Sequence, residues 1–346
     1  MASPVKEAAP FDSIGSFPGE ANVAHPAVAK LAGSRFHCLL DEQPSFLVPD
    51  RLLPADAASD PSRKLIVNPQ CWFSRDGPPP PEVAACMPFL GHFSAEYETV
   101  WVGDPAMGRL MPFWLGPVFS ALLSAVRPGE PAPAGLPPHA RSVLSLARVL
   151  VEPGDEAWRR AEWAAAVSRC APLFEKGYAP LGGLIHPYHL GALRRYYRRL
   201  IRKGGLQFDA QCSRRYGVHN ESVARFFHQQ FRGIVSDIAG EPVKPSYVYF
   251  ASYQSGAELE KHVDRAQCEF SITLCVDYSP EPVRETPWPL HLDAKEGKLT
   301  VFQAIGDALL YRGVELPHYR GRLPDGATST SIFFHFVREN FPGPLE

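Results

Sequence analysis

The chain has 346 residues, 45% of them apolar and 21% charged, with a formal net charge of −2. That balance describes a globular protein with a substantial core and no global field to draw nucleic acid or an anionic membrane. The opening MASPVKEAAPFDSIGSF lacks a charged-then-apolar leader, and no apolar run is long enough to cross a bilayer, so the expected location is cytoplasmic. Seven scattered cysteines without a CxxC pair argue against a disulfide framework and against a zinc ribbon.

Residues 1–138 offer short apolar runs, RFHCLL and YETVWVGD, and the aromatic stretch MPFWLGPVFSALLSAV, together the pattern of a mixed α/β region. Proline clusters at DGPPPPE (76–82) and RPGEPAPAGLPP (127–138), where neither a helix nor a central strand can continue. The second cluster is the expected domain boundary. The region before it is expected to serve substrate recognition or dimerisation, which leaves a homodimer open.

Helical patterns then run over 139–240. Residues 155–175 place acidic side chains first and apolar ones at helical spacing. Residues 186–203 (HPYHLGALRRYYRRLIRK) read as a second helix stopped by Gly204 and Gly205, with His186 and His189 on its surface and a solvated arginine face. Asn220 is the expected cap of a third helix that ends near Gly240.

From Ser246 the apolar period becomes two. SYVYFASY, CEFSITLCVDYS, WPLHLD, KLTVFQA, DALLYRGVELPHYR and STSIFFHFV are short strand-like segments, the sign of an antiparallel sandwich or barrel with the helices against one face.

Within these strands KHVD places His262 and Asp264 two residues apart, so an extended backbone directs both to one side. His318 in ELPHYR is the natural third ligand. Two neutral imidazoles and one carboxylate leave coordination positions open, the donor set of non-haem Fe(II) oxygenases, with zinc as the competing metal. A rival HxD, His291 and Asp293, stands close before His318, and the strands between them use most of the intervening chain. His335, in the aromatic IFFHFV, reads as a core histidine.

The segment from Tyr247 to Val337 resembles the catalytic core of the 2-oxoglutarate- and Fe(II)-dependent dioxygenases, nearest the prolyl 4-hydroxylase-like group. The resemblance is carried by SYQSG, KHVD, SITLCVDYSP and GDALLYRGVELPH in that order. It implies an α+β chain with a double-stranded β-helix (jelly-roll) core over 246–338, buttressed by helices over 139–240 and preceded by the N-terminal α/β region. It further implies a hydroxylase in which Fe(II), 2-oxoglutarate and O2, with ascorbate as a stimulant, oxidise an unactivated C–H bond of a small or peptide-like metabolite.

Related enzymes anchor the far carboxylate of the keto acid on a Lys or Arg of the strand after the distal histidine. Here that strand carries Thr328, Ser329, Thr330 and Ser331 instead. Arg320, two residues past His318 and hence on the same side, is the expected anchor, with Arg322 in reserve and Tyr253 as a hydroxyl donor. The missing standard anchor keeps two other readings open: a cupin-like iron enzyme that uses no keto acid, and a non-catalytic jelly-roll binding module.

Overall fold

The structure, a computed structural model, describes residues 64–93, 98–114, 121–209 and 211–346. The MASPVKEAAPFDSIGSF opening and the RFHCLL run lie outside the described residues, as does part of MPFWLGPVFSALLSAV.

The first part of the described chain comprises β1 (Ile66–Val67), β2 (Cys71–Phe73), α1 (Pro81–Cys86), β3 (Thr99–Asp104), β4 (Arg109–Trp114), α2 (Pro138–Leu146) and β5 (Leu150–Val151). Strands β2, β3 and β4 form an antiparallel sheet, and β1 pairs with β5. That pairing reaches across the proline-rich 127–138 stretch. Leu65, Val67, Val100 and Val126 accordingly share one apolar cluster with Val143, Leu144 and Leu150. The prolines of 76–82 do punctuate, but Pro81 also opens α1, where its missing N–H costs nothing.

The remainder runs α3 (Asp155–Phe174), β6 (Tyr178–Leu181), α4 (Pro187–Arg202), β7 (Gln207–Phe208), β8 (Arg215–His219), α5 (Ser222–Gln230), α6 (Arg232–Ala239) and β9 (Val243–Tyr253). It closes with β10 (Leu259–His262), β11 (Phe270–Ser279), β12 (Leu290–Ala294), β13 (Gly297–Val301), β14 (Ala308–Tyr311), β15 (His318–Arg320) and β16 (Thr328–Arg338). The two longer predicted helices appear nearly as expected. The third is split near Phe231, and its cap is Glu221 rather than Asn220: the Glu221 carboxylate accepts from Val223 N at 3.1 Å and Ala224 N at 3.0 Å. Asn220 is a left-handed residue (φ 52°) whose amide oxygen accepts from Val248 N.

Two antiparallel sheets dominate. One has seven strands in the order β6-β14-β11-β16-β9-β8-β7, and the other four in the order β10-β15-β12-β13. Strand alternation divides the large sheet cleanly. On one face Val248, Phe250, Ile272, Leu274, Ile332 and Phe334 pack in a common core with Trp163, Phe174, Leu193 and Phe227 of the helices. Each such buried side chain contributes about 1.5–3 kcal/mol, which fixes the sheet to its helical backing. The other face carries Tyr249, Tyr253, Phe333, Tyr311 and Arg215 toward a cavity that residues of the small sheet close from the opposite side.

Other details depart from the sequence expectation. Val83, Leu90, Trp101 and Met107 join the helical core, so the early strands pack against the helices rather than standing apart. His186 and His189 are buried against Phe113, with ring centroids 5.6 and 4.8 Å away, rather than lying on the surface. The arginine face of α4 is only partly solvated, since Arg194 and Arg198 both bind Asp277.

Candidate metal centre

His262 ends β10 and lies directly opposite His318, which opens β15, so the two imidazoles share one face of the small sheet. Val263 is 48% exposed, and the next residue, Asp264, brings its carboxylate to the imidazoles. Its Oδ1 lies 3.9 Å from His262 Nε2 and 3.6 Å from His318 Nε2, and the three donor atoms fall within 4.8 Å of one another. The tautomers are set by the backbone. His262 Nδ1 donates to Glu260 O at 2.8 Å, and His318 Nδ1 donates to Leu316 O at 2.9 Å. Each Nε2 is therefore left as a lone pair aimed at the carboxylate, the arrangement a metal-binding histidine needs. Burial also lowers the pKa of His318, which keeps the ring neutral and ready to ligate. Two imidazole lone pairs and one carboxylate oxygen converge, with only a long 3.5 Å contact from the Tyr311 hydroxyl to His318 Nε2 competing, and fit a divalent ion.

The second carboxylate oxygen is already occupied. Ser271 Oγ donates to Asp264 Oδ2 at 2.9 Å, and His335 Nδ1 lies 2.9 Å from the same hydroxyl, which it can supply with a proton. Gly313 makes the approach possible: a Cβ there would run into Asp264 Oδ2 and come within 2.7 Å of Ser271 Oγ, while Gly313 O accepts from Asp264 N at 2.9 Å. The clamp leaves one oxygen of Asp264 for the imidazole side. Asp264, Cys268 and His335 form a second cluster of potential ligands. That set is poorly prepared, because burial pushes the Cys268 thiol up to about 12, Tyr247 Oη contacts its sulfur at 3.1 Å, and His335 Nδ1 is engaged by Ser271.

The rival motif faces elsewhere. Leu292, not His291, stands opposite His318, so His291 and Asp293 project to the other side of the small sheet. His291 stacks on Tyr319 and bonds Thr300, and Asp293 pairs with Lys261. His291 and Asp293 therefore lie apart from the triad for a reason of strand face: β12 neighbours β15 directly, and the length of intervening chain decides nothing.

The triad opens into a cavity of about 680 Å³ that Tyr253, Leu290, Tyr311, Arg215 and Arg320 also line. Arg320 follows His318 on the same side and is only 4% exposed. Its guanidinium lies 4.8 Å over the Trp288 ring, donates to Trp288 O at 2.6 Å and to Gln303 Oε1 at 2.9 Å, and has further donors to spare. Both acceptors are neutral, and among the described residues no carboxylate pairs with it; burial lowers its pKa. A buried cation without a counter-ion is costly, and a carboxylate ligand would remove that cost. Arg215 provides the contrast: its charge is met by Asp209 at 2.6 Å. Arg322 lies outside the cavity, its side chain 61% exposed and paired with Asp325, so it drops out as the reserve anchor. Tyr253 is fully buried, and its hydroxyl accepts from Arg215 Nη1 at 3.3 Å, which leaves the phenolic proton to donate.

No family model matches the chain, and no curated protein matches it. Solved structures do match. A Pseudomonas putida prolyl-4-hydroxylase is 17% identical, with 50% of this chain and 100% of that chain covered at a TM-score of 0.41. The chain is similar to 2-oxoglutarate- and Fe(II)-dependent oxygenases, prolyl hydroxylases among them. A Trichoplax adhaerens prolyl hydroxylase, in complex with a peptide fragment of hypoxia inducible factor, is 8% identical over 53% of this chain and 94% of that one, with a TM-score of 0.44. HygX from Streptomyces hygroscopicus, solved with nickel, 2-oxoglutarate and hygromycin B, is 14% identical over 49% and 86%, with a TM-score of 0.39.

Several site residues escape sequence reasoning. Tyr311, whose hydroxyl lies 3.5 Å from His318 Nε2, stands inside GDALLYRG but carries no motif of its own. Ser271 and Gly313 act through contact with Asp264 and leave no spacing signal. Arg215 falls in CSRRYGVHN, where strand periodicity is too short to read.

Proposed function

We propose that the protein is a non-haem Fe(II)- and 2-oxoglutarate-dependent oxygenase that hydroxylates an unactivated C–H bond of a small or peptide-like metabolite. The observation that carries this reading is the pairing, in one cavity, of a prepared two-histidine, one-carboxylate donor set with a buried arginine that lacks a counter-ion. The seven- and four-stranded sheets are then read as the two halves of a double-stranded β-helix, and the helices over 139–240 as its buttress. Among the described residues none before Gln207 lines the cavity, which favours a supporting role for the described part of residues 1–138.

In this reading His262, Asp264 and His318 hold the ion, and Arg320 binds the far carboxylate of the keto acid through a charge-assisted fork. Tyr253 donates its hydroxyl to the same carboxylate, and Tyr311 orders the space beside His318. Leu290 and Tyr311 exclude water from the keto-acid end. When bound, Fe(II) couples oxidative decarboxylation of the keto acid to oxidation of the substrate. The chain's own part would be to hold the ion and to fix the far carboxylate of the keto acid in the same cavity.

The test is to supply purified protein with Fe(II), ascorbate and 2-oxoglutarate in air and to measure succinate. Slow succinate formation that requires both metal and keto acid is expected. Metal binding with neither succinate nor keto-acid protection against unfolding would favour a keto-acid-independent iron enzyme. No metal binding at all would leave a binding module.

A further inference from the structure

Beyond the triad and Arg320, the same cavity has a wall that neither the metal nor the keto acid uses. Strand register brings five rings to it: His219 on β8, Tyr247 and Tyr249 on β9, and Phe333 and His335 on β16. Tyr249 lies opposite both His219 and Phe333. Ring centroids are 4.6 Å apart for His219 and Tyr249, 4.6 Å for Tyr247 and His335, and 6.3 Å for Tyr249 and Phe333, whose planes differ by 23°. Phe333 and His335 are 6.5 Å apart and nearly parallel, at 7°.

The flat lie of Tyr249 is built in. It crosses β8 at Gly217, where any Cβ would run into the Tyr249 ring and hydroxyl. That hydroxyl donates to Asp209 at 2.6 Å, which pins the ring in place. Asp209 is itself paired with Arg215, so this part of the wall brings no net charge.

The charge on the wall comes from Arg265. Its guanidinium stacks 4.9 Å over the Tyr247 ring at the cavity rim, and among the described residues no carboxylate forms an ion pair with it. Asp264, the acidic group nearest in sequence, attracts the guanidinium but is turned toward the imidazoles and makes no ion pair with it.

A ring floor with a cation at its edge selects by two separate terms. Aromatic rings gain from offset stacking on ring faces, beyond simple burial. An arginine fork favours a carboxylate or similar acid and repels a cation that the rings alone would attract. We propose that this wall binds a planar aromatic substrate bearing an acidic group, the ring lying over Tyr249 and Phe333 and the acid on Arg265. The proposal rests on the oxygenase reading, because that reading reserves Arg320 for the keto acid and leaves Arg265 for the substrate.

The test uses the full chain loaded with Co(II) and saturated with N-oxalylglycine, so that Arg320 is occupied. Three probes are titrated calorimetrically: indole-3-acetate, its neutral analogue indole-3-acetamide, and the saturated-ring acid cyclohexylacetate. Indole-3-acetate is expected to bind about tenfold more tightly than either of the others. Arg265→Gln should erase the preference for acid over amide and keep the preference for the aromatic ring over cyclohexyl. The proposal is overturned if the three probes bind alike, if Arg265→Gln keeps the acid preference, or if no probe binds where N-oxalylglycine does. Should N-oxalylglycine itself fail to bind, the oxygenase reading falls. The ranking of the three probes, repeated without it, would then still decide the ring-and-acid selectivity by the same outcomes.

Discussion

Replacing Arg320 by glutamine separates the role of a buried cation from that of a packing residue. The guanidinium is buried, stacks on Trp288, bonds two neutral acceptors and has no acidic partner among the described residues. Losing one side of a buried charge pair costs about 2–5 kcal/mol, so the Kd for 2-oxoglutarate should rise about thirtyfold or more. At a keto-acid concentration of about 100 times the wild-type Kd, binding stabilises the folded protein by about 2.7 kcal/mol. At the same concentration the variant should gain less than about 1 kcal/mol. At about 2 °C per kcal/mol for a chain of this size, a melting shift of about 5 °C shrinks to about 2 °C or less. The difference with and without keto acid is the readout. The keto-acid-free Tm is ambiguous, because relief of the buried charge and loss of two hydrogen bonds oppose each other. Thermal melts of metal-loaded wild type and Arg320→Gln, with and without 2-oxoglutarate, make the comparison. An undiminished shift in the variant would refute Arg320 as the anchor.

Other predictions concern the metal and the core. His318→Ala should abolish stoichiometric Co(II) binding, followed by visible absorption, whereas His291→Ala should leave it unchanged; the reverse would move the site to the other HxD motif. Ser271→Ala frees the second oxygen of Asp264 and should weaken metal binding about tenfold and alter the Co(II) spectrum, with Ser271→Thr restoring both. An unaltered spectrum would mean that the serine is mere packing. His228, buried and hydrogen-bonded to His335 O at 2.7 Å, is pushed down to about 3 by burial. The unfolded chain protonates this residue near pH 6.5 and the native protein does not, so stability is full above about 6.5 and falls as pH drops toward 3. Urea melts between pH 7 and 5 should show His228→Gln with a slope shallower by about 1 kcal/mol per pH unit on average; equal slopes would contradict the neutral buried state.

The candidate ligands were legible by two routes. His262 and Asp264 need only strand alternation to share a side, and His318 was singled out by ELPHYR and the resemblance carried by GDALLYRGVELPH. Arg320 was proposed by the same alternation, and the structure places it in the cavity. The choice between the HxD motifs needed strand order, which residue spacing does not encode: β12 and β15 turn out to be neighbours, and facing decides. The seven-stranded sheet was only partly readable. Its outer strands β6, β7 and β8, of which β6 and β7 form the edges, are two to five residues long and lie among helices, so no periodicity develops. Gly217 and Gly313 matter only through what lies across from them, Tyr249 and Asp264, and no window of sequence contains both members of either pair.

The most direct measurement is a crystal structure of the metal-loaded protein with N-oxalylglycine. One ion held by His262, Asp264 and His318, with the far carboxylate of the analogue on Arg320 and within reach of the Tyr253 hydroxyl, is the predicted result. An ion held instead by Asp264, Cys268 and His335, or an analogue carboxylate seated on any residue other than Arg320, would contradict it.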